Sequence, residues 1–148
     1  MLTARGLEVI DGRGVAIPAC LHRRAVATEM SCVLRAIGET FDVRRFLADS
    51  TLRPDVHPKG FNLAVGQAGF DDLPGQVREA MAFLDVYEDE LRRLSAFEGV
   101  DQVFLDFGLR LRDVAAQTDV LPAELLWRAG ALDIDITVTH YAIADEKH

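Results

Sequence analysis

The chain has 148 residues, 49% of them hydrophobic, 27% charged and only 7% aromatic, and its 24 acidic residues outnumber 16 basic ones for a net charge of −8. A chain of this size and apolar content can bury roughly two thirds of its unfolded surface in one core, which excludes a disordered protein and leaves no room for a second full domain. Its apolar runs are only a few residues long and residues 1–20 lack the apolar block of a signal peptide, so a cytoplasmic protein without a membrane span is expected.

Residues 1–29 read as an N-terminal extension containing one hairpin, residues 7–17, in which Asp11-Gly12 is a favourable turn dipeptide between apolar runs and Pro18 stops the second strand. A single domain is expected over residues 30–141, with Met30 able to serve as a start and residues 142–148 as a tail. Residues 31–37 read as a strand buried on both faces or a central one, ended by Gly38. Asp42 caps a short helix through Asp49, with Val43, Phe46 and Leu47 as its apolar stripe. Pro54, Pro58 and Gly60 then predict a loop, because proline fixes its own φ and disfavours helix in the preceding residue.

Residues 61–67 alternate as a second strand. Next, Asp72 is an N-cap, Pro74 fits a first turn, and Val77, Met81, Leu84, Leu91 and Leu94 form a stripe, which predicts one helix of about six turns over residues 73–96, closed by Gly99. Residues 103–112 alternate strictly, with Val103, Leu105, Phe107, Leu109 and Leu111 opposite Asp106, Gly108, Arg110 and Arg112. Pro122 opens a helix over residues 123–131, and a last strand sets Leu132, Ile134, Ile136 and Val138 against Asp133, Asp135, Thr137 and Thr139. Charge confined to one face marks half-buried strands, so the helices should cover one side of the sheet. The expected class is α+β, a two-layer sandwich in the order β-α-β-α-β-α-β with a mainly antiparallel or mixed sheet. A doubly wound parallel sheet would need strands apolar on both faces.

The opening strand, the short helix 41–48, the loop ending in Lys59-Gly60, the long central helix and the closing stretch Leu121-Pro-Ala-Glu-Leu-Leu-Trp-Arg-Ala-Gly-Ala-Leu-Asp-Ile-Asp-Ile resemble a bacterial domain-of-unknown-function family, the one numbered 4279. The resemblance covers residues 30–141, about three quarters of the chain. It implies a compact bacterial α+β domain and carries no catalytic residues with it.

Four constellations invite chemistry. His57-Pro58-Lys59-Gly60 sets a histidine and the only mid-chain lysine on a stiffened loop, where Lys59 would suit a phosphate or carboxylate; the same residues also read as a surface turn leading into the next strand. Arg110 and Arg112 on the sheet are candidates to join His57 and Lys59 around a ligand. Asp85, Glu88, Asp89 and Glu90 crowd one helix, but Glu88 and Asp89 precede Arg92 and Arg93 by four residues, the spacing of surface ion pairs, and carboxylates fanned around a helix do not converge on a cation. Across the last two strands, Asp106, Arg110 and Arg112 face Asp133, Asp135 and Thr137, a polar face that can pair internally or dock a partner or a second copy. Cys20 and Cys32 are too few for a disulfide framework and read as reduced thiols, although His22 near Cys20 gives a nucleophilic reading as well. His22, His57, His140 and His148 lack ligand spacing, so no metal or other cofactor is expected.

Charge is unevenly distributed, with nine basic against seven acidic residues up to position 60 and seven against seventeen beyond it, so the C-terminal part carries −10. Such a surface repels nucleic acid and attracts a basic protein. Dinucleotide, phosphate-loop, nucleophile-elbow and zinc-protease motifs are missing, which leaves an enzyme the weaker reading. The expectation is a non-enzymatic protein-interaction module, immunity- or antitoxin-like in one version; the alternative is a small-ligand binder or modest enzyme built on the His57–Gly60 loop.

Overall fold

The computed structural model describes residues 8–10, 16–18 and 31–142. Strands β1 (Glu8–Ile10) and β2 (Ala16–Pro18) pair antiparallel with Val9 opposite Ile17, in the place of the expected hairpin. Its Asp11-Gly12 turn lies outside the described residues, as do Cys20, His22 and Met30. The domain then runs β3 (Cys32–Ile37), α1 (Val43–Leu47), β4 (Asp55–His57), β5 (Gly60–Ala64), α2 (Leu73–Val86), α3 (Glu88–Ser95), β6 (Gln102–Arg110), α4 (Ala123–Ala131) and β7 (Asp135–Tyr141). No helix among the described residues is long and apolar enough to cross a membrane.

The five strands of the main sheet lie in the order β4-β5-β3-β6-β7. All neighbours are antiparallel except β6 and β7, which α4 joins as a crossover and therefore leaves parallel. The class is α+β, with helices on one face of a mixed sheet. Alternate residues of β3, β5 and β6, among them Leu34, Phe61 and Leu105, join Phe46, Leu84, Leu94 and Leu125 from the helices in a single core. The other face carries Arg35, Asn62, Phe104, Asp106, Thr137 and Thr139, placed side by side by the strand register.

The starts of α1 and α2 follow the sequence. Asp42 accepts the Arg45 N–H at 3.1 Å, and Asp72 accepts the Gly75 N–H at 2.9 Å with Pro74 in the first turn. Three features differ from expectation. Residues 55–57, expected in a loop, form the edge strand β4, which turns through Pro58-Lys59 into β5 and makes a hairpin with His57 opposite Gly60. Proline is tolerated there because Pro54 and Pro58 flank an edge strand and so remove no ladder hydrogen bond.

The single helix expected over residues 73–96 is two, because Tyr87 leaves helical geometry at φ −107° and ψ 19°. Hydrogen bonds across the break persist, from Tyr87 N–H to Phe83 O and from Leu91 N–H to Tyr87 O. What re-aims α3 is tertiary: Arg93 donates to the carbonyls of Phe46 and Asp49 and lies 4.1 Å from the Phe46 ring centroid. Arg93 is thus engaged with the α1 segment rather than with Asp89, whereas Glu88 and Arg92 form the expected pair at 2.8 Å.

The third difference is the start of the last strand. Leu132 and Ile134 are buried as the alternation predicts, but they belong to the stop signal of α4 and not to β7. Ile134 N–H bonds to Ala129 O and Asp133 N–H to Gly130 O, the two bonds of a Schellman ending, with Asp133 at φ +58° in the position that glycine usually fills. The Asp133→Gly variant should therefore be stabilised by about 0.5–1 kcal/mol, since glycine adopts that conformation without a Cβ penalty; chemical denaturation measures the change, and a destabilised variant would mean that the aspartate side chain outweighs the backbone strain.

Glu90 on α3 ties down the chain after α1 by accepting from Ser50 Oγ and Thr51 Oγ1, each at 2.6 Å, and from Thr51 N–H at 2.8 Å. Partial burial pushes its carboxyl up, but the Ser50 and Thr51 donors and the nearby Arg93 outweigh that and hold it below the ordinary glutamate value. A carboxylate whose value is lowered by folding stabilises the protein above its unfolded value and loses that contribution as pH falls through the folded one. Glu90→Gln should accordingly lower the thermal midpoint near neutral pH, with the gap to wild type narrowing toward about pH 3. A gap of constant size across that range would assign the effect to packing rather than charge.

Candidate functional site

A concavity sits at one end of the sheet, where β3 finishes and the β4–β5 hairpin turns. It is an open depression of about 530 Å³ lined by Ile37, Gly38, Glu39, His57, Pro58, Lys59 and Asp101. Strand register puts His57, Gly60, Ile37 and Gln102 in one row across four strands, so the floor of the cleft is the last row of the sheet.

Backbones approach closely here because three glycines permit it. A Cβ on Gly38 would strike the carbonyl of Gly99, one on Gly60 would strike the carbonyl of Ala36, and Gly99 itself lies at φ +90° against the Thr40 backbone. The ends of β3, β5 and β6 are then laced together: Gly38 N–H bonds to Lys59 O at 2.9 Å, and Asp101 N–H to Ile37 O at 2.8 Å. These contacts fix the directions in which Glu39, Lys59 and Asp101 leave the backbone.

The side chains complete the arrangement. Lys59 Nζ lies 2.7 Å from both Glu39 carboxylate oxygens, and Asp101 Oδ2 accepts the Glu39 N–H at 3.0 Å. Glu39 and Lys59 are exposed enough that their pair is a positioning device worth at most about 1 kcal/mol. His57 is half-buried beside Pro58 and also borders a second depression of about 370 Å³ that includes Phe41, Asp42, Arg44 and Val56.

His57 and Lys59 therefore share a site, whereas Arg110 and Arg112 stand at the opposite end of β6. Gln102 marks the cleft end of that strand, and eight residues at 3.3 Å each put Arg110 roughly 26 Å away. Arg110 Nε is 3.0 Å from Asp71, and Arg112 lies 3.8 Å from Asp119 beside a small hollow of about 100 Å³. Glu39 and Asp101 are the site residues that the sequence did not single out; each is a single acid at a strand end next to glycine-rich turns, a pattern too common to mark a site.

Elsewhere the candidate clusters are occupied structurally. Asp106 accepts from Thr137 Oγ1 at 3.1 Å and Thr139 Oγ1 at 2.7 Å, with Arg35 at 3.4 Å. The charge facing Asp106 thus comes from β3 and not from Arg110 or Arg112, while Asp135 accepts from Gln102 at 3.0 Å. Asp85 pairs with Arg128, Glu88 with Arg92, and Glu90 holds Ser50 and Thr51. Among the described residues no group of three or more His, Cys, Asp or Glu side chains converges as metal ligands would. Cys32 is buried against the helices, and burial, reinforced by Asp106 and Glu79, pushes its thiol up to about 12, far from the thiolate that a nucleophile needs.

No family model, curated protein or solved structure matches the chain. Fold and site together define a two-layer α+β domain with a glycine-built cleft at one end of its sheet, mostly apolar along its wall and bordered by Glu39, His57, Lys59 and Asp101. Gly60→Ala should cost about 1–3 kcal/mol, because the added methyl meets main chain that cannot move aside without breaking the β3–β5 ladder. Urea unfolding checks this, and a variant as stable as wild type would show that the ladder yields at the cleft.

Proposed function

We propose that the domain is a binding module, without catalysis of its own, that takes an arginine- or lysine-bearing segment of a basic partner protein into the cleft. The observation that carries this reading is the engagement of Lys59: both Glu39 oxygens lie 2.7 Å from its Nζ, so the one cation of the cleft is already neutralised. Asp101 then contributes a carboxylate with which no cation pairs among the described residues. Of the charged side chains that line the cleft, two are acidic and one is basic. The −10 carried by residues 61–148 would steer a basic partner toward the molecule and speed its encounter.

An immunity- or antitoxin-like role, masking a basic protein in a bacterial cytoplasm, is the specific form of this reading. Such a setting also keeps the buried Cys32 a thiol. Nucleic acid is disfavoured as a partner by the same charge. The second reading is a small anionic ligand held by His57 and Lys59, favoured by a volume within the range of small-molecule sites and by walls made of Ile37, Pro58 and the lysine stem.

The two readings predict opposite signs for one substitution. Lys59→Ala should raise affinity for a short arginine-rich peptide about threefold or more by releasing Glu39, and Asp101→Asn should weaken it about tenfold, as read by calorimetric titration at low salt. An anionic ligand would instead be lost in Lys59→Ala. Loss of the peptide in that variant, or failure of the wild-type protein to bind it at all, would remove the basic-partner reading.

A further inference from the structure

We propose that β7 is a self-pairing edge, through which two copies of the protein join their sheets about a two-fold axis at Val138. Among the described residues β7 has a neighbour on one side only, β6. The direction of its backbone groups follows from one bond: Leu111 N–H donates to Tyr141 O at 2.8 Å, so the Tyr141 carbonyl points toward the β6 side. Backbone polar groups alternate along a strand, hence Asp135, Thr137, Thr139 and Tyr141 spend theirs on β6, and Ile136, Val138 and His140 direct their N–H and C=O outward.

That outward set is complementary to itself. An antiparallel copy centred on Val138 sets Val138 opposite Val138, and Ile136 opposite His140 on both sides of the axis. All three are hydrogen-bonded positions, so about six inter-strand bonds form with no carbonyl or N–H out of phase. Side chains agree with the backbone. Val138, 39% exposed in one copy, meets its own image on the helix side of the sheet, and Thr137 meets Thr139 on the other face.

Natural edges are guarded by lysine, proline, bulges or inward charges. β7 has none between Ile136 and His140, where its sequence is Ile-Thr-Val-Thr-His. Its single charged residue, Asp135, selects the direction of pairing. Parallel pairing would set the two aspartates side by side in a protein of net charge −8, whereas the antiparallel pair holds them about 20 Å apart, beyond the screening length at physiological salt. The dimer is a continuous sheet with the His57–Lys59 clefts at its two remote ends, both open, and it does not depend on what those clefts bind. Edge pairing of one strand lies at the small end of interface sizes, so association should depend on protein concentration.

Sedimentation equilibrium of the full chain should show a mass that doubles as concentration rises from micromolar to millimolar. Val138→Lys, which sets two ammonium groups against each other on the axis, and Val138→Pro, which removes only an outward N–H, should both hold the mass at that of the monomer. Hydrogen exchange on the wild-type protein gives a reading that requires no variant: the amides of Ile136, Val138 and His140 should be protected at high concentration and lose that protection on dilution, while those of Thr137 and Thr139 stay protected throughout. A wild-type protein that is monomeric at every concentration, a dimer that survives both substitutions, or outward amides whose exchange ignores concentration would each overturn the proposal.

Discussion

Strand β3 is hydrogen-bonded along both edges, to β5 on one side and β6 on the other, and the rest of the domain is placed by that double pairing. With its peptide groups satisfied in the sheet, β3 can run through the middle of the molecule, and its side chains divide between two unlike surroundings. Cys32, Leu34 and Ala36 enter the core beneath the helices, which makes the thiol inert. Arg35 emerges on the helix-free face and meets Asp106, whose other partners are two threonine hydroxyls of β7. Where β3 stops, its last carbonyl and the following N–H are still in use, by Asp101 and Lys59, and this lacing aims Glu39 at the lysine.

A second group of contacts secures the same end of the molecule from the helix side. Phe41, Phe46, Phe61 and Phe97 pack with ring centroids 5.3–6.2 Å apart, mostly tilted or edge-on, the arrangement that aromatic quadrupoles favour. Arg93 lies over Phe46 and Arg45 over Phe97, so the cluster is capped by guanidinium groups rather than left to water. Because Arg93 and Glu90 sit on α3 and their targets sit after β3, these contacts fix the angle between the two halves of the long helical stretch. The break at Tyr87 is the backbone adjustment that lets them form. The rigidity of the cleft therefore has two sources, close glycine backbones beneath and an aromatic cluster behind.

Much of this was legible in residue order. Asp42 and Asp72 announce their helices because a capping carboxylate acts within one turn, and the charged face of residues 103–112 announces a sheet covered on one side because burial imposes a period of two. The hairpin 55–64 was hidden by its prolines, which normally argue against a strand and are harmless only at an edge, a position that sequence does not state. Asp133 misled in a different way: its place in an alternating run suggests a strand, yet the run straddles a helix ending in which Leu132 and Ile134 are buried for another reason. His57 and Lys59 could be picked out as a stiffened pair of unusual residues. Glu39 and Asp101, ordinary acids at ordinary turns, could not.

The sequence by itself determined most of the strand residues that would be buried, with Leu111 and Val138 as exceptions left exposed, where α1, α2 and α4 begin, that one face of the sheet would be polar, and that the C-terminal part would be acidic, since each of these depends on near neighbours or on simple sums. Tertiary structure alone decided that β7 would run parallel to β6, that Arg93 would leave Asp89 for Phe46, that Arg110 and Arg112 would stand far from His57, and that Lys59 would be neutralised by a glutamate 20 positions away. The division has a physical reason. Periodicity records how each residue is exposed to solvent, whereas the meeting of distant residues depends on strand order and on where glycine lets one backbone approach another, and neither leaves a periodic mark.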